Sequence, residues 1–278
     1  MVPNCLTVDV EEWFHICGVA ELIDPDRWSE LPSRVVPNTR LLLDILDRYR
    51  VRATFFVLGW VALRYPELVQ QIVAAGHEVA SHGHLHRPVY DLDPDAFADD
   101  LDLSISALRA AGVRSVAGYR APQRSINDRS MWALDVLSRK GFRFDSSLAP
   151  LRIIGNPSYP QAPHVRPTPF GQVVEFPPLV DRRFGQNFPL GGGWGLRMTD
   201  PRRVLAAIGD RNRRGTPVAL FIHPWELDPD PPRVRLPWSK WFVHYFRLAG
   251  FRARLELILR GTEFATMSEV LGLGSASA

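Results

Sequence analysis

Residues 78–86 read Glu-Val-Ala-Ser-His-Gly-His-Leu-His, a short β-rich run that passes directly into three histidines. His82 and His86 are four residues apart, a spacing that can bring two ring nitrogens to one cation if the chain makes a single turn. Gly83 between them and Pro88 just after them disfavour a long helix, so this is not the helical His-Glu-x-x-His site of a metalloprotease. A polar loop rich in histidine is the alternative interpretation, and the rest of the chain decides between the two.

The chain on both sides of this stretch alternates between β-rich runs and helical patterns. Strands are predicted at residues 5–10, 53–58, 78–80, 115–119, 142–144, 173–176, 217–222 and 263–266. Helices are predicted at residues 38–50, with Asn38 as N-cap, and at 66–75, 93–111, 130–140 and 201–214. Such alternation predicts an α/β fold with a parallel sheet covered by helices, either open or closed into a barrel.

Three segments lack this regular alternation. Residues 149–170 and 177–199 are predicted as long loops rich in proline, glycine and aromatic residues, which are typical of binding loops or lids. From residue 231 onward the chain is rich in aromatic residues and continues as a helix through Arg260. At helical spacing, such aromatic residues are more often part of the core than a platform for a ligand.

Polar side chains follow most of the predicted strands at the point where each strand ends. They are Asp9, Glu11, His82, His86, Arg120, Asp145 and His223. Because ligands bind at the carboxyl ends of parallel strands, we expect these side chains to converge on one rim. Asp9 and Glu11 are two residues apart on an extended backbone and therefore point to the same side. One carboxylate and two histidines form an ordinary ligand set for zinc.

Composition limits the class of protein. The chain has 278 residues and is 46% hydrophobic, enough for one large domain or two small ones. Its 33 basic residues are mixed with 30 acidic ones, which argues against nucleic-acid binding. Cys5 and Cys17 form no disulfide framework, and there is no signal-peptide pattern or transmembrane segment. We expect a cytoplasmic protein, and leave open its oligomeric state and peripheral association with a membrane.

Four short motifs lie at the ends of predicted strands. Thr-Val-Asp-Val-Glu occupies residues 7–11, and Ser-His-Gly-His-Leu-His occupies residues 81–86. Arg-Ala-Pro follows at residues 120–122, and Leu-Phe-Ile-His at residues 220–223. Their order resembles that of the Thr-Phe-Asp-Asp, His-x-x-x-His, Arg-x-Pro and Leu-x-Ile-His motifs of polysaccharide deacetylases of carbohydrate esterase family 4, the NodB-homology group. Each motif alone is weak, but four in this order are specific.

The resemblance covers about residues 4–225 and implies a NodB-like fold, a distorted (β/α) barrel of seven strands. Residues 7–14 and the Tyr-Phe-Arg of residues 245–247 also resemble the bacterial exopolysaccharide deacetylases found with exosortase systems. Those proteins carry a C-terminal extension. We therefore expect a NodB-like domain over residues 1–226 and a helical extension over residues 227–278, packed on the same domain.

The resemblance implies a metal site. Glu11, His82 and His86 would hold a divalent cation, with Zn²⁺ as first choice and Co²⁺, Ni²⁺ or Mn²⁺ as alternatives. The family usually has two adjacent aspartates, whereas this chain has an Asp-x-Glu-Glu pattern. Glu12 is therefore an alternative to Glu11, although the same-side geometry with Asp9 favours Glu11.

The resemblance also implies catalytic residues. Asp9 would be the base, His223 the general acid, and Arg120 the cation that orients Asp9 and keeps it ionised. Asp145 would orient His223 or pair with Arg120. A tryptophan that the family has near this position is absent, because Asp145 is followed by Ser-Ser-Leu at residues 146–148.

Substrate contacts complete the implied site. The backbone N–H of Gln123, next to Pro122 of the third motif, would stabilise an oxyanion. Trp225 and Trp194 would either stack on sugar rings or pack in the core. The implied substrate is an N-acetylated polysaccharide or a lipid-linked oligosaccharide, and His84 would line it or be structural.

Two other functions compete with this interpretation. One is hydrolysis of a small cyclic amide or imide on the same fold, but such relatives often lack a full set of metal ligands. The other is a non-catalytic carbohydrate-binding relative, which would usually have lost the base or the acid. Asp9, His223 and all three candidate ligands are present here, and this favours the deacetylase.

Overall fold

The computed structural model describes residues 2–16, 19, 22–228 and 230–274. The strands are β1 Asn4–Val10, β2 Thr54–Val57, β3 Glu78–Ser81, β4 Gly118–Tyr119, β5 Phe144–Asp145, β6 His164–Thr168, β7 Gly171–Glu175, β8 Val180–Arg183, β9 Gln186–Pro189, β10 Ala219–Ile222 and β11 Phe264–Ala265. The helices are α1 Val35–Arg48, α2 Gly59–Arg64, α3 Pro66–Ala74, α4 Pro94–Ala110, α5 Ala133–Arg139, α6 Gly193–Met198, α7 Pro201–Arg213, α8 Trp238–Tyr245, α9 Phe251–Gly261 and α10 Met267–Val270.

Seven parallel strands form a curled sheet in the order β10-β1-β2-β3-β4-β5-β7. Beyond β7 the sheet continues into antiparallel β6, and β11 pairs with the start of β1. A single parallel bridge between Pro178, just after β7, and Ala219 of β10 brings the two ends of the seven-strand order together. The predicted fold class, a distorted seven-stranded (β/α) barrel, is therefore confirmed.

The alternation of side chains along β1 explains where its carboxylates point. Leu6, Val8 and Val10 belong to the large cluster that packs the helices onto the sheet. Cys5 belongs instead to a separate cluster with Phe56, whose ring lies on the neighbouring strand. Since successive strand residues face opposite sides, the odd-numbered residues of β1 face away from the helix layer, toward the barrel interior. Asp9 and then Glu11 continue this inward row at the carboxyl end of the strand.

Two predicted loops contain regular structure. Residues 149–170 include β6, and residues 177–199 include the β8–β9 hairpin and α6. The predictions missed β6 because Pro167 lies within it, and proline is confined to sheet edges, which is where β6 lies. The predicted strand at residues 115–119 is reduced to the two residues of β4.

The first helix begins earlier than predicted. Its N-cap is Arg34 rather than Asn38, and Asn38 is buried and donates to Asp228 Oδ2 at 3.1 Å. The first N–H groups of α1 are bound by the Glu12 carboxylate, which accepts from Arg34 N at 2.9 Å and from Val35 N at 3.2 Å. A distant side chain therefore caps this helix, and local sequence gives no sign of it.

The C-terminal segment also differs from its prediction. The expected single helix is divided into α8 and α9 by residues 246–250, and Gly250 adopts a left-handed φ of 84°. Trp238 and Trp241, which were predicted to be core, are exposed on α8, and Phe246 is exposed just after it. Cys5 is buried with a free thiol, and Cys17 lies outside the described residues. Among the described helices, none combines the length and apolar character needed to cross a membrane.

Candidate active site

The ends of β1 and β3 bring three potential metal ligands together. One ligand atom from each of Glu11, His82 and His86 lies within 4.8 Å of the other two, and all three residues are buried. Glu11 Oε2 is 2.7 Å from His86 Nε2 and 3.9 Å from His82 Nε2. The chain turns sharply to achieve this, with Gly83 at φ 78° and His86 at φ 55°. A non-glycine residue in that region is strained, and such strain is concentrated at functional sites.

The backbone fixes the orientation of His82. Its Nδ1 lies 2.8 Å from the carbonyl oxygen of Arg120, which can only accept a hydrogen bond. Nδ1 therefore carries the proton, and the lone pair of Nε2 points toward Glu11. Burial lowers the pKa of His82 to about 4, so the ring is neutral near pH 7. A neutral imidazole with a free Nε2 is the form that binds a metal.

The structure separates the roles of the two adjacent glutamates. Glu11 lies among the histidines, whereas Glu12 accepts the hydroxyl of Ser33 at 2.5 Å and caps α1. Burial would raise the pKa of Glu11, but His86, His223 and His82 hold it well below its usual range. Burial raises the pKa of Glu12. Of the two, Glu11 is therefore the carboxylate available to a cation.

Asp9 is held ionised by a buried guanidinium. Arg120 is 1% exposed, and its Nη1 donates to Asp9 Oδ1 at 2.6 Å and to Thr7 Oγ1 at 2.8 Å. The other side of the guanidinium donates to Ser146 O at 3.1 Å and to Ser146 Oγ at 2.9 Å. Burial acts to raise the pKa of Asp9, but Arg120 and the nearby histidines lower it overall. Asp9 is thus a fixed carboxylate whose second oxygen remains open to the site.

His223 faces the two carboxylates from β10. Its Nε2 lies 3.8 Å from Asp9 Oδ2 and 3.7 Å from Glu11 Oε1. Its Nδ1 lies 3.2 Å from Glu226 Oε2, and Glu226 in turn accepts from Arg197 Nε at 3.0 Å. Burial lowers the pKa of His223, but the bond to Glu226 and the charges of Glu11, Glu226 and Asp9 raise it to about 9. His223 is therefore protonated near neutral pH.

The carboxylate bonded to His223 is that of Glu226, whereas the sequence had offered Asp145 either for this role or for a pairing with Arg120. Asp145 accepts from Ser147 Oγ at 2.6 Å and from Ser147 N at 3.2 Å, and it lies beside the buried carboxyl of Glu175. Burial raises the pKa of both acids. No role for Glu226 was predicted from sequence, although a signal was present, because Pro224 opens a turn that places residue 226 against residue 223.

The predicted substrate contacts lie at the same rim. Pro122 and Gln123 form a 3-10 turn directly after Arg120, with Gln123 at a left-handed φ of 55°. Trp225 is 6% exposed, donates its indole N–H to Glu11 Oε1 at 3.3 Å, and stacks on His223 with ring centroids 5.2 Å apart. These contacts leave little of Trp225 for a sugar and give it a supporting position behind the two site residues. Trp194 is half-buried.

The donor set fits a divalent cation. It combines one ionised carboxylate with two imidazoles, of which His82 has its tautomer fixed by a backbone carbonyl. Three protein ligands of this kind, with room for water, are typical of catalytic zinc. The open oxygen of Asp9 and the Nε2 of His223 border the same space. An ionised carboxylate, a protonated imidazole and a candidate metal site therefore occur together.

Comparison with known families agrees with this arrangement. Residues 29–144 match the family "Polysaccharide deacetylase", and residues 146–272 match "Domain of unknown function (DUF3473)". Glu11 and Asp9 precede the first match, His82 and Arg120 lie within it, and His223 lies within the second. The candidate site is thus assembled from both parts of the chain.

Individual relatives share the first part of the chain. A chitooligosaccharide deacetylase of Bradyrhizobium sp. (strain ANU 289) is 36% identical over 97 residues, covering 35% of this chain and 42% of the relative. A peptidoglycan deacetylase-like protein of Gibberella zeae is 34% identical over 110 residues, covering 39% of this chain and 32% of the relative. The matched regions span less than half of the length of either relative.

Solved structures share the fold over almost the whole chain. A candidate polysaccharide deacetylase from Mycobacterium smegmatis superposes with a TM-score of 0.61 at 24% identity, covering 98% of this chain and 91% of the other. A pseudoenzyme of carbohydrate esterase family 4 from Bacillus anthracis gives a TM-score of 0.53 at 15% identity, covering 98% and 66%. The chain therefore carries a polysaccharide deacetylase domain, matched at residues 29–144 and followed by a DUF3473 region, and its fold is similar to that of proteins of carbohydrate esterase family 4.

Proposed function

We propose that this protein is a divalent-metal-dependent hydrolase that removes N-acetyl groups from an amino-sugar polysaccharide or oligosaccharide. The observation that carries the proposal is the position of His223 Nε2, which lies 3.8 Å from Asp9 and 3.7 Å from Glu11. An acid and a base thus border the space beside the Glu11–His82–His86 cluster. Hydrolysis of an amide requires both groups together with activation of water.

The first chemical step needs a base. When bound, a divalent cation supplies a Lewis acid that polarises a carbonyl and makes hydroxide available near neutral pH. Asp9 accepts the proton of the attacking water through Oδ2, because Oδ1 is occupied by Arg120. Arg120 keeps Asp9 in the ionised form that this role requires.

The second step needs an acid. An amine is a poor leaving group until its nitrogen is protonated, and His223 donates that proton from Nε2. Glu226 holds the ring from the Nδ1 side, so that Nε2 faces the substrate space. The oxyanion formed in between is stabilised by the backbone N–H of Gln123.

Within this class of substrates, we infer that the protein acts on an exported polysaccharide or on its lipid-linked precursor. The relatives named as chitooligosaccharide and peptidoglycan deacetylases support an N-acetylated sugar. The complete set of candidate metal ligands argues against an enzyme acting on small cyclic amides, because relatives of that kind often lack such a set. The complete set of base, acid and candidate ligands argues against a non-catalytic relative.

Release of acetate tests the proposal. Purified protein would be reconstituted with Zn²⁺, Co²⁺ or Mn²⁺ and incubated with N-acetylated chito-oligosaccharides and with de-N-acetylated controls. We expect metal-dependent acetate release that Asp9→Asn and His223→Ala each reduce by about 10²–10⁴-fold. Sugar binding without acetate release under every metal would instead identify a carbohydrate-binding protein.

A further inference from the structure

An exposed surface of aromatic and basic residues lies on α8 and on the segments next to it. It consists of Trp238, Trp241, Phe246, Arg233, Arg235 and Arg247, and we refer to it as the α8 surface. Trp238 is 81% exposed, Trp241 40% and Phe246 36%. Single exposed apolar residues need no explanation, but adjacent exposed indoles on one short helix form a patch, and such patches mark interaction sites.

The aromatic rings of α8 lie on one side of the helix. At 100° per residue, positions 238, 241, 242, 245 and 246 fall within one arc of about 140°, while the buried His244 faces the protein from outside this arc. Trp241 lies beside Tyr245 with ring centroids 6.1 Å apart, and Phe242 stacks on Phe246 at 4.4 Å. The result is a continuous aromatic face.

Guanidinium groups border this aromatic face. Arg233 lies 5.8 Å from the ring centroid of Tyr245, and Arg247 lies 6.0 Å from that of Phe246. Arg235 is exposed nearby in the segment leading into α8. Cations next to exposed aromatic rings are typical of surfaces that bind where an apolar phase meets an anionic one.

The local charge is the opposite of that of the remaining chain. Residues 231–255 contain six Arg or Lys and neither Asp nor Glu. Since the whole chain has a formal charge of +3, the other residues together carry −3. Four of the six, Arg233, Arg235, Lys240 and Arg247, lie on α8 or in the segments next to it, and this local charge favours an anionic partner.

We propose that the α8 surface binds the anionic headgroup surface of a lipid bilayer. The tryptophans enter the interfacial region, where amphipathic rings are favoured, and the arginines contact lipid phosphates. This inference goes beyond deacetylation, since membrane binding is measured without substrate or metal.

Hydrogen bonds connect the α8 surface to the candidate active site. Arg197 donates to the carbonyl oxygens of Val243 at 2.6 Å and Phe246 at 2.7 Å, both at the C-terminal end of α8. The same guanidinium donates to Glu226, which holds His223. A bilayer bound at the α8 surface would therefore lie beside the rim where substrate enters, as suits a sugar chain attached to a lipid.

Vesicle co-sedimentation tests the proposal with the full chain. The probes are vesicles of phosphatidylcholine alone and vesicles of phosphatidylcholine mixed with phosphatidylglycerol. We expect the wild type to sediment with the anionic vesicles and to be released as salt rises. Trp238→Ala/Trp241→Ala should weaken this partition roughly tenfold or more. Arg233→Gln/Arg235→Gln should weaken it on anionic vesicles and not on neutral ones.

A matched control distinguishes binding through the α8 surface from non-specific adsorption through any exposed aromatic residue. Phe184 is 97% exposed at the tip of the β8–β9 hairpin, and Phe184→Ala should leave partition unchanged. Thermal melting would verify that every variant is folded. Wild-type protein that stays in solution with both vesicles, or an equal loss in Phe184→Ala, would overturn the proposal. So would a tryptophan variant that changes only the oligomeric state or only sugar binding.

Discussion

Glu226 Oε2 lies 3.2 Å from His223 Nδ1 and also accepts the backbone N–H of His223 at 3.0 Å. One buried carboxylate oxygen therefore fixes both the backbone and the ring of the proposed general acid. The pair is separated by only three residues, in a turn that Pro224 opens. Glu226 is a positioning residue, because it acts on the reaction through His223.

This pair predicts a change in pH dependence. His223 donates a proton only while protonated, so kcat/KM should fall as pH rises through its pKa, which is about 9 in this structure. Glu226→Gln removes a negative charge and lowers that pKa, so the alkaline fall in kcat/KM should move to lower pH. The pH dependence of acetate release measures the shift. Asp145→Asn is the matched control and should leave the alkaline limb in place. Equal shifts in both variants would contradict the assignment.

The adjacent glutamates should separate metal binding from stability. Glu11→Ala should lose the bound metal, since it removes the only carboxylate of the described ligand cluster. Glu12→Ala should keep the metal but lower the free energy of unfolding by about 1–2 kcal/mol, because the first N–H groups of α1 lose their cap. Mass spectrometry of metal content and urea unfolding provide the two readouts. Loss of metal in Glu12→Ala with retention in Glu11→Ala would reverse the assignment.

The sequence was sufficient to predict which residues lie together at the carboxyl ends of the parallel strands. The two-residue period of β1 places Asp9 and Glu11 on the same side, and parallel pairing brings β3 and its histidines next to them through β2. These relationships depend on backbone geometry alone. For that reason the convergence of these side chains on one rim could be expected from the sequence pattern, whereas the choice of Glu11, His82 and His86 as a ligand set came with the family resemblance.

Relationships between side chains from distant segments could not be predicted. The capping of α1 by Glu12 depends on how residues 12 and 34 meet after the chain has folded. The link from Glu226 to Arg197 likewise depends on the position of α6 beside the turn after β10. For the partner of His223 the family resemblance offered Asp145, with a pairing to Arg120 as its alternative, whereas the bonded carboxylate is that of Glu226, three positions further along the chain.

A histidine remote from the site should control stability in mild acid. His77 Nδ1 accepts the backbone N–H of Ala53 at 3.2 Å, and burial followed by the charge of Arg52 lowers the pKa of His77 to about 4. In the unfolded chain, His77 is protonated below about pH 6.5. The contribution of neutral His77 to the free energy of unfolding is therefore fully present above that pH and declines as pH falls toward 4. His77→Asn keeps an acceptor but cannot be protonated, and its stability should decline less. Urea midpoints between pH 7 and 4 compare the two proteins, and parallel curves would contradict the prediction.

A glycine next to the Glu226 carboxylate provides a final test of the His223 support. A β-carbon added at Gly193, the first residue of α6, would overlap both carboxylate oxygens of Glu226. Glu226 is 1% exposed and bound to Arg197, so it has little room to move aside. Gly193→Ala should therefore displace Glu226 and reduce kcat by roughly tenfold or more, since misplacing a catalytic group by about 1 Å can cost 10²-fold.

The matched control for this variant is Gly209→Ala in α7. A β-carbon there meets only Arg213 Nη1 at 3.4 Å, the end of a flexible side chain. Alanine in a helix interior is favoured over glycine by about 0.5–1 kcal/mol, so Gly209→Ala should be as active as the wild type and slightly more stable. Acetate release and thermal melting of both variants would be measured side by side. Because the Gly193 change leaves the candidate metal ligands untouched, its metal content should stay at the wild-type level while kcat falls. Full activity in Gly193→Ala would show that His223 works without this support.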